Sequence, residues 1–326
     1  MGHWMNFARG IAALVLWSTA LPPALAQTFP NRPLRMIVPF GAGTATDLVA
    51  RHVGQGLAAE LGQPVAVENR PGGGGMIGAE AVAKAPPDGY TILMGTSASQ
   101  ATSVSLFRKV PYDPIADFAP IARISIFPAV LVVHQSIPAS TVAELIAYAK
   151  ARPGQLNYAT SGPGSQNHLQ AAMLAVTAGL QVTHVPFKDA GQIFGAIGRG
   201  EVAFMFYPYS ALGPVIQGGK VVVLASTGEK RSSNTPNTPT MIEAGYPELS
   251  LAGWNALYAP AGTPGDVVDR LNAATGRALE NAEMRTKLGA LGVDLAFGSP
   301  KELAAYTRAE IERYRKLIAM AQLKPE

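Results

Sequence analysis

A two-lobed α/β fold is predicted by three observations. Short β-branched runs alternate with amphipathic stretches along the chain, the pattern of helices laid against mostly parallel sheets. The alternation comes in two series, one opening at Leu34 and the other near Val130. Each series holds a strand that ends in a Gly- and hydroxyl-rich loop running straight into a helix. At 326 residues the length suits about two domains and allows a core without disulfides or metals.

The elements follow in chain order. Residues 1–26 carry one charged side chain, Arg9, then an apolar stretch from Ile11 to Leu21, then Pro22-Pro23-Ala24-Leu25-Ala26. This reads as a secretory signal peptide with an A-x-A cleavage site, its apolar run too short for a spanning helix. Leu34 to Phe40 reads as a strand, followed by the loop Gly41 to Asp47 and a helix to about Leu61, in which Val49, Val53, Leu57 and Leu61 recur every four residues. Pro64 to Glu68 is a second strand, Ala79 to Lys84 a helix, Pro86-Pro87-Asp88-Gly89 a turn and Tyr90 to Met94 a strand. In the second series Val130 to Val133 is a strand and Thr141 to Ala151 a helix, with Ser140 or Thr141 as N-cap and Glu144 in capping-box position. Leu156 to Thr160 is a strand, Ser161 to Gln166 a loop, and Asn167 to Ala178 a helix. Strands Val182 to Phe187 and Val202 to Phe206 flank a helix from Gly191 to Ile197; Val221 to Ala225 is a buried strand. Beyond Trp254 to Tyr258 the chain ends in two helices, about Gly265 to Ala282 and Pro300 to Ala321.

Composition excludes several chemistries. There is no cysteine, so no disulfide framework, thiolate nucleophile or cysteine-ligated metal. The balance of 26 Lys+Arg against 22 Asp+Glu is spread without a basic run, so no nucleic-acid footprint is expected. Export places ATP, NAD and most cytosolic metabolites out of reach. Gly73-x-Gly75-x-x-Gly78 matches a dinucleotide fingerprint, yet Asn69 to Gly72 separate it from the strand and the tight strand-to-helix turn is missing. No cofactor and no metal are expected.

The two loops carry the chemistry. A loop at a strand C-terminus presents unpaired N–H groups at a helix N-terminus, where an anion is favoured by about 0.3–1 kcal/mol. In open α/β sheets the crevice beyond those strand ends is where ligands bind. Gly41 to Asp47 and Ser161 to Gln166 could therefore grip a small anion from two sides, or each could simply cap its helix. His168, in the first turn after the second loop, is a contact candidate or a histidine bonded to its neighbours.

Ordered motifs run through the chain: Pro30-Asn31-Arg32-Pro33-Leu34 to Phe40 with Gly43, Thr46-Asp47 and Ala50-Arg51; Val67-Glu68-Asn69-Arg70-Pro71-Gly72; Pro87-Asp88-Gly89-Tyr90-Thr91; Gly95-Thr96; Pro111-Tyr112-Asp113-Pro114; Leu156-Asn157-Tyr158-Ala159; Gly164-Ser165; His168-Leu169; His184-Val185-Pro186-Phe187-Lys188; Met205-Phe206; and Ala259 to Pro264. With them the chain resembles the Bug (TctC-like) family, the periplasmic solute receptors of tripartite tricarboxylate transporters, over essentially all of the sequence after residue 26. The resemblance implies a type II periplasmic binding protein fold, with two doubly wound α/β lobes joined by a hinge and the ligand cleft between them. It implies lobe 1 over 27–125 plus 245–326 and lobe 2 over 126–244. By position it implies a ligand site built from Phe40, Gly43, Thr44, Asp47, Thr96 and Ser97 in lobe 1, and Ser161, Gly164, Ser165, His168, Phe187 and Lys188 in lobe 2, with Asp189 and Tyr207 expected beside them in the distal pocket. Asp47 would fix its loop and cap the helix without touching the anion, since two carboxylates repel.

The chain departs from the family pattern at three places: Thr44 where a second Gly is usual, Asp189 where Gly is usual, and Tyr207-Pro208-Tyr209 where an Asp is usual. Asp189 adds negative charge near the cleft and Tyr207 an aromatic wall. A ligand bearing an aromatic or amine group is therefore expected in preference to a tricarboxylate. The resemblance implies a periplasmic monomer that captures a small carboxylate (a di- or tricarboxylate, aromatic acid or amino acid), and passes it to membrane permease subunits. Competing readings are a receptor that signals to a sensor protein, a structural or interaction protein, and an exported serine hydrolase using Ser161 or Ser165 with His168.

Overall fold

Leu34–Val38 (β1) is an apolar run buried at all positions but one, as expected of a strand covered on both faces. In the computed structural model, which describes residues 29–163, 165–231 and 235–321, β1 leads into α1 (Ala45–Leu61). Gly62 ends that helix at φ 68°, the left-handed position that glycine adopts without strain. Then come β2 (Val65–Asn69), α2 (Met76–Ala83), β3 (Thr91–Thr96), a π-helical turn over Ala98–Thr102, α3 (Ser103–Leu106) and β4 (Phe118–Phe127). The second series is β5 (Ala129–His134), α4 (Val142–Lys150), β6 (Leu156–Thr160), α5 (Gln166–Ala178), β7 (Val182–Pro186), α6 (Ala190–Gly198), β8 (Phe204–Pro208), α7 (Gly213–Gln217) and β9 (Val221–Ser226). The chain closes with β10 (Gly253–Pro260), α8 (Gly265–Glu280), α9 (Ala282–Ala290), β11 (Asp294–Leu295) and α10 (Pro300–Met320).

These strands build two mixed sheets, ordered β11-β4-β10-β3-β1-β2 and β7-β6-β8-β5-β9. In the first, β2, β1 and β3 are parallel and β10 runs antiparallel between β3 and β4. In the second, β7, β6 and β8 are parallel and β5 is antiparallel to β8 and β9. The α/β expectation holds. The chain crosses from the first sheet to the second between Phe127 and Ala129 and returns between Ser226 and Gly253. The expected signal peptide, 1–26, lies outside the described residues.

Several elements differ from the sequence reading, the unexpected α3, α7 and β11 among them. β4 was not expected; its Pro120, which offers no ladder donor, sits opposite Tyr258 beside a register shift. β8 runs two residues further than expected and so carries Tyr207 within the strand. α9 is an additional helix, N-capped by Asn281, whose carboxamide oxygen accepts from the Glu283 and Met284 N–H groups. The capping box expected at the start of α4 is present, with Thr141 as the cap.

One apolar core runs from the first sheet through α10 and α5 to the second, including Leu93, Trp254, Tyr258, Tyr314, Leu169, Leu131 and Phe204. Full burial of each large apolar side chain contributes about 1.5–3 kcal/mol. Polar tips in this core are paired: Trp254 Nε1 donates to Glu310 Oε2 at 2.9 Å, and the Tyr258 hydroxyl lies 2.7 Å from Thr307 Oγ1. Satellite clusters cover the opposite face of each sheet.

Candidate ligand-binding site

The loop after β1 is braced from behind. Asp47, almost fully buried, accepts from the Gly43 N–H at 2.9 Å, Asn69 Nδ2 at 2.8 Å and Arg51 Nε at 3.0 Å. Asn69 Nδ2 also reaches the Phe40 carbonyl at 2.9 Å, and Arg51 Nη2 donates to Asn69 Oδ1 at 3.1 Å. Burial by itself pushes the Asp47 carboxyl up, but the bonds from Arg51, Asn69 and Gly43 outweigh it and hold the group below its ordinary value. The expected loop-fixing role of Asp47 is seen, whereas its expected capping role belongs to Thr44. Thr44 Oγ1 accepts from the Asp47 N–H at 3.4 Å and donates to the Gly41 carbonyl at 2.8 Å. With φ −70° and ψ 159°, Thr44 lies in extended backbone, so this position needs no glycine; Gly43, at φ 77°, does. After β3, Thr96 and Ser99 exchange backbone-to-hydroxyl bonds at 3.1 and 3.2 Å. The buried Ser97 turns its hydroxyl to Gln166 Oε1 at 3.4 Å.

The loop after β6 is clamped by Asn167. Its Oδ1 accepts from the Ser161 N–H at 3.2 Å and from Ser165 Oγ at 2.6 Å, and its Nδ2 donates to Ser161 Oγ at 3.3 Å. Ser165 stands at the N-cap position of α5 without bonding a helix N–H; its hydroxyl is 2.6 Å from the Gly162 carbonyl, at the other side of the loop. Gly162 adopts φ 101° and its N–H donates to Thr160 Oγ1 at 3.1 Å. Gly164 lies outside the described residues.

His168 is 6% exposed and its ring stacks on His184 with centroids 4.2 Å apart and planes 14° apart. His184 stacks in turn on Tyr158, and its Nε2 lies 2.6 Å from Thr160 Oγ1. Burial, and secondarily the neighbouring His184, bring the His168 imidazolium down to about 4; burial lowers His184 too. Both rings are therefore neutral at pH 7. A depressed histidine pKa means that the unfolded chain takes up protons first, so the stability these rings provide is whole above about pH 6.5 and declines as the pH falls toward 4. Thermal melts should show that decline, up to about 1.4 kcal/mol per pH unit per group, and His168→Gln should flatten it; an unchanged slope would remove the histidines from the account.

Tyr207, near the end of β8, is buried edge-on against Phe194 at 5.0 Å and 79°. Burial raises its pKa, against a hydrogen bond with Ser161 and with the help of the nearby Asp189 charge. Asp189 departs from the expectation in part: its carboxylate caps α6, accepting the Gln192 N–H at 2.9 Å, because a bare loop residue before a helix is where an Asp is favoured. Phe187 is half-buried against the cluster around Tyr207, and Lys188 and Asp189 are exposed. The sequence reading did not single out Arg51, Asn69, Asn167 and His184 as the residues that brace the loops, and it had Gln166 only as the end of the second loop.

The two loops and the residues that brace them gather at the C-terminal ends of parallel strands, β1, β2 and β3 in one sheet and β6, β7 and β8 in the other. The Ser97–Gln166 bond brings the two ends together. The sequence matches the family model described as "Tripartite tricarboxylate transporter family receptor" (TctC) over residues 49–323. The chain belongs to the TctC receptor family.

Among TctC relatives, BugT of Bordetella pertussis is 34% identical over 318 residues, covering 96% of this chain and 98% of that one. A protein from the tcbD–tcbE intergenic region of Pseudomonas sp. strain P51 is 34% identical over 312 residues, covering 95% and 93%. Two solved structures are similar throughout: Rpa4515 of R. palustris with adipate (35% identity, TM-score 0.86, 91% of this chain and 100% of that one) and MatC of Rhodopseudomonas palustris with bound malate (34%, 0.82, 89% and 100%). The sulphonate-binding protein SsuA of Escherichia coli shares the fold at 14% identity, with a TM-score of 0.55. The periplasmic binding protein fold expected from the sequence is thus the fold of this TctC receptor, and the family is one of solute-binding receptors. Among the described residues no helix is long and apolar enough to cross a membrane, and no cluster of metal-ligating side chains is formed.

Proposed function

We propose that the protein is an exported, monomeric periplasmic receptor that closes two lobes, 27–125 plus 245–326 and 126–244, on a small carboxylate and delivers it to the permease of a tripartite transporter. The observation that carries this reading is the paired bracing. In each sheet an asparagine side chain, Asn69 or Asn167, locks a Gly-containing loop at a strand C-terminus from behind, and fixed N–H groups at a helix N-terminus favour an anion. The adipate and malate held by the two R. palustris proteins fit a carboxylate ligand here. Phe40, Gly43, Thr44, Thr96, Ser97, Ser161, Gly164, Ser165 and His168 would surround the carboxylate, with Asp47 behind them. Phe187, Lys188, Asp189 and Tyr207 would meet the far end of the ligand. The uncharged Tyr207–Phe194 wall favours an acid with an aromatic or apolar far end over a tricarboxylate.

A thermal-shift screen of the refolded protein against mono-, di- and tricarboxylates, aromatic acids and amino acids tests this. A ligand at about a hundred times its Kd should add roughly 2.7 kcal/mol of stability. Stabilisation by one class of acid, with sugars and simple cations inert, is the expected result; no stabilisation by any acid would sink the reading.

A further inference from the structure

Gln166 is where three separate parts of the chain meet. It is the first residue of α5, directly after the Ser165 loop. Its Oε1 accepts from the Tyr314 hydroxyl of α10 at 2.7 Å and from the Ser97 hydroxyl after β3 at 3.4 Å. Its Nε2 donates to the Leu251 carbonyl at 3.3 Å, in the segment that returns from the second sheet to the first. Tyr314 and Ser97 are almost wholly buried and also lie within hydrogen-bonding reach of each other. Both belong to the part of the chain built on the first sheet, whereas α5 packs on β6 and β8 of the second. A rotation of one sheet relative to the other about the chain crossings at 127–129 and 226–253 would change the separation of Gln166 from Tyr314 and Ser97, while Leu251 lies in the crossing itself.

We infer that Gln166, held by Tyr314 and Ser97, is a latch between the lobes: a positioning residue that fixes the second ligand loop against the end of β3 and biases the receptor toward its closed form. Its ligand arm rests on the receptor reading above; its ligand-free arm does not. A receptor whose competent form is less populated binds more weakly by that fraction, and loss of a hydrogen bond between neutral groups corresponds to about two- to tenfold.

The absence of cysteine makes site-directed spin labelling clean. Labels at Gln55→Cys in α1 and Gln217→Cys in α7, both exposed, report the separation of the two sheets by pulsed dipolar spectroscopy. Without ligand, Q166L and Y314F should each gain a population at longer distance than the parent. Adipate or malate at saturation should restore the short distance, with an apparent Kd about two- to tenfold weaker than the parent's. S97A serves as a second route if Q166L folds poorly. Y258F removes an equally buried hydroxyl whose partner, Thr307, lies within the first-sheet part, so it should leave the distances unchanged. Identical ligand-free distances in parent, Q166L, Y314F and S97A would overturn the latch, as would an equal shift in Y258F. If neither acid, nor any other in the thermal screen, binds the parent, the receptor reading fails, and the ligand-free distances still decide the latch.

Discussion

Asp47→Ala is expected to lower the stability of the protein by about 2–4 kcal/mol and to abolish measurable carboxylate binding. The side chain is 1% exposed and gathers donors from Gly43, Arg51 and Asn69. A hydrogen bond to a charged group is worth about 1.5–3 kcal/mol, and its removal leaves buried donors without a partner. The Arg51 contribution is the smaller part, because Arg51 is half-exposed and such pairs are screened. The binding effect follows from geometry: Asp47 pins the loop through the Gly43 N–H, and without it the ordering of the Phe40–Asp47 loop falls on the ligand. The pH dependence has a definite sign. The carboxyl titrates below its unfolded value of 3.8 when folded, so its stabilisation is whole above about pH 4 and is lost as the pH falls through the folded value. Denaturant titrations should therefore show a gap between parent and Asp47→Ala that narrows below pH 4. A gap under 1 kcal/mol at pH 7 would contradict the brace.

Asn167→Ala should weaken carboxylate binding about a hundredfold while lowering the melting temperature by only a few degrees. One carboxamide makes three bonds across the Ser161–Ser165 loop. Each is worth about 1 kcal/mol, and together they hold the loop before α5 in one conformation. The loop lies at the N-terminus of α5, whose apolar residues such as Leu169 and Met173 keep their places in the core, so the folded state survives the loss of these bonds. Calorimetric titration with the stabilising acid, beside a thermal melt, separates the two effects. Parent-like affinity would mean that the loop orders itself without the clamp.

The positions of the two loops were legible because their composition is local: Gly, Ser, Thr and Asp between a β-branched run and a helix. Their bracing was not, because it is long-range. Asn69 sits at the end of β2 and gives no sign in sequence that it reaches Asp47, and Gln166 meets Tyr314 only once α10 has docked. Asn167 was closer to hand, since a carboxamide just inside a helix after a serine-rich loop commonly bonds backward. β4 was not read at all, and its Pro120 is tolerated there beside a register shift. Asp189 was read as charge near the cleft, and its second role as the N-cap of α6 was not. Tyr207 was seen as an aromatic wall, but its placement inside a strand, held against Phe194, depended on where β8 ends.

The order of strands in the first sheet sets a timetable for folding. β10 bonds both β3 and β4 and lies between them, yet it is made after every strand of the second sheet. Until Gly253–Pro260 emerges, β3 and β4 present open edges, the feature that invites pairing with other chains. The second sheet, contiguous from Ala129 to Ser226, has all its strands at hand by then. The middle of the chain can assemble while the beginning waits for a strand from near the end, and that interval is when the protein is most exposed to aggregation.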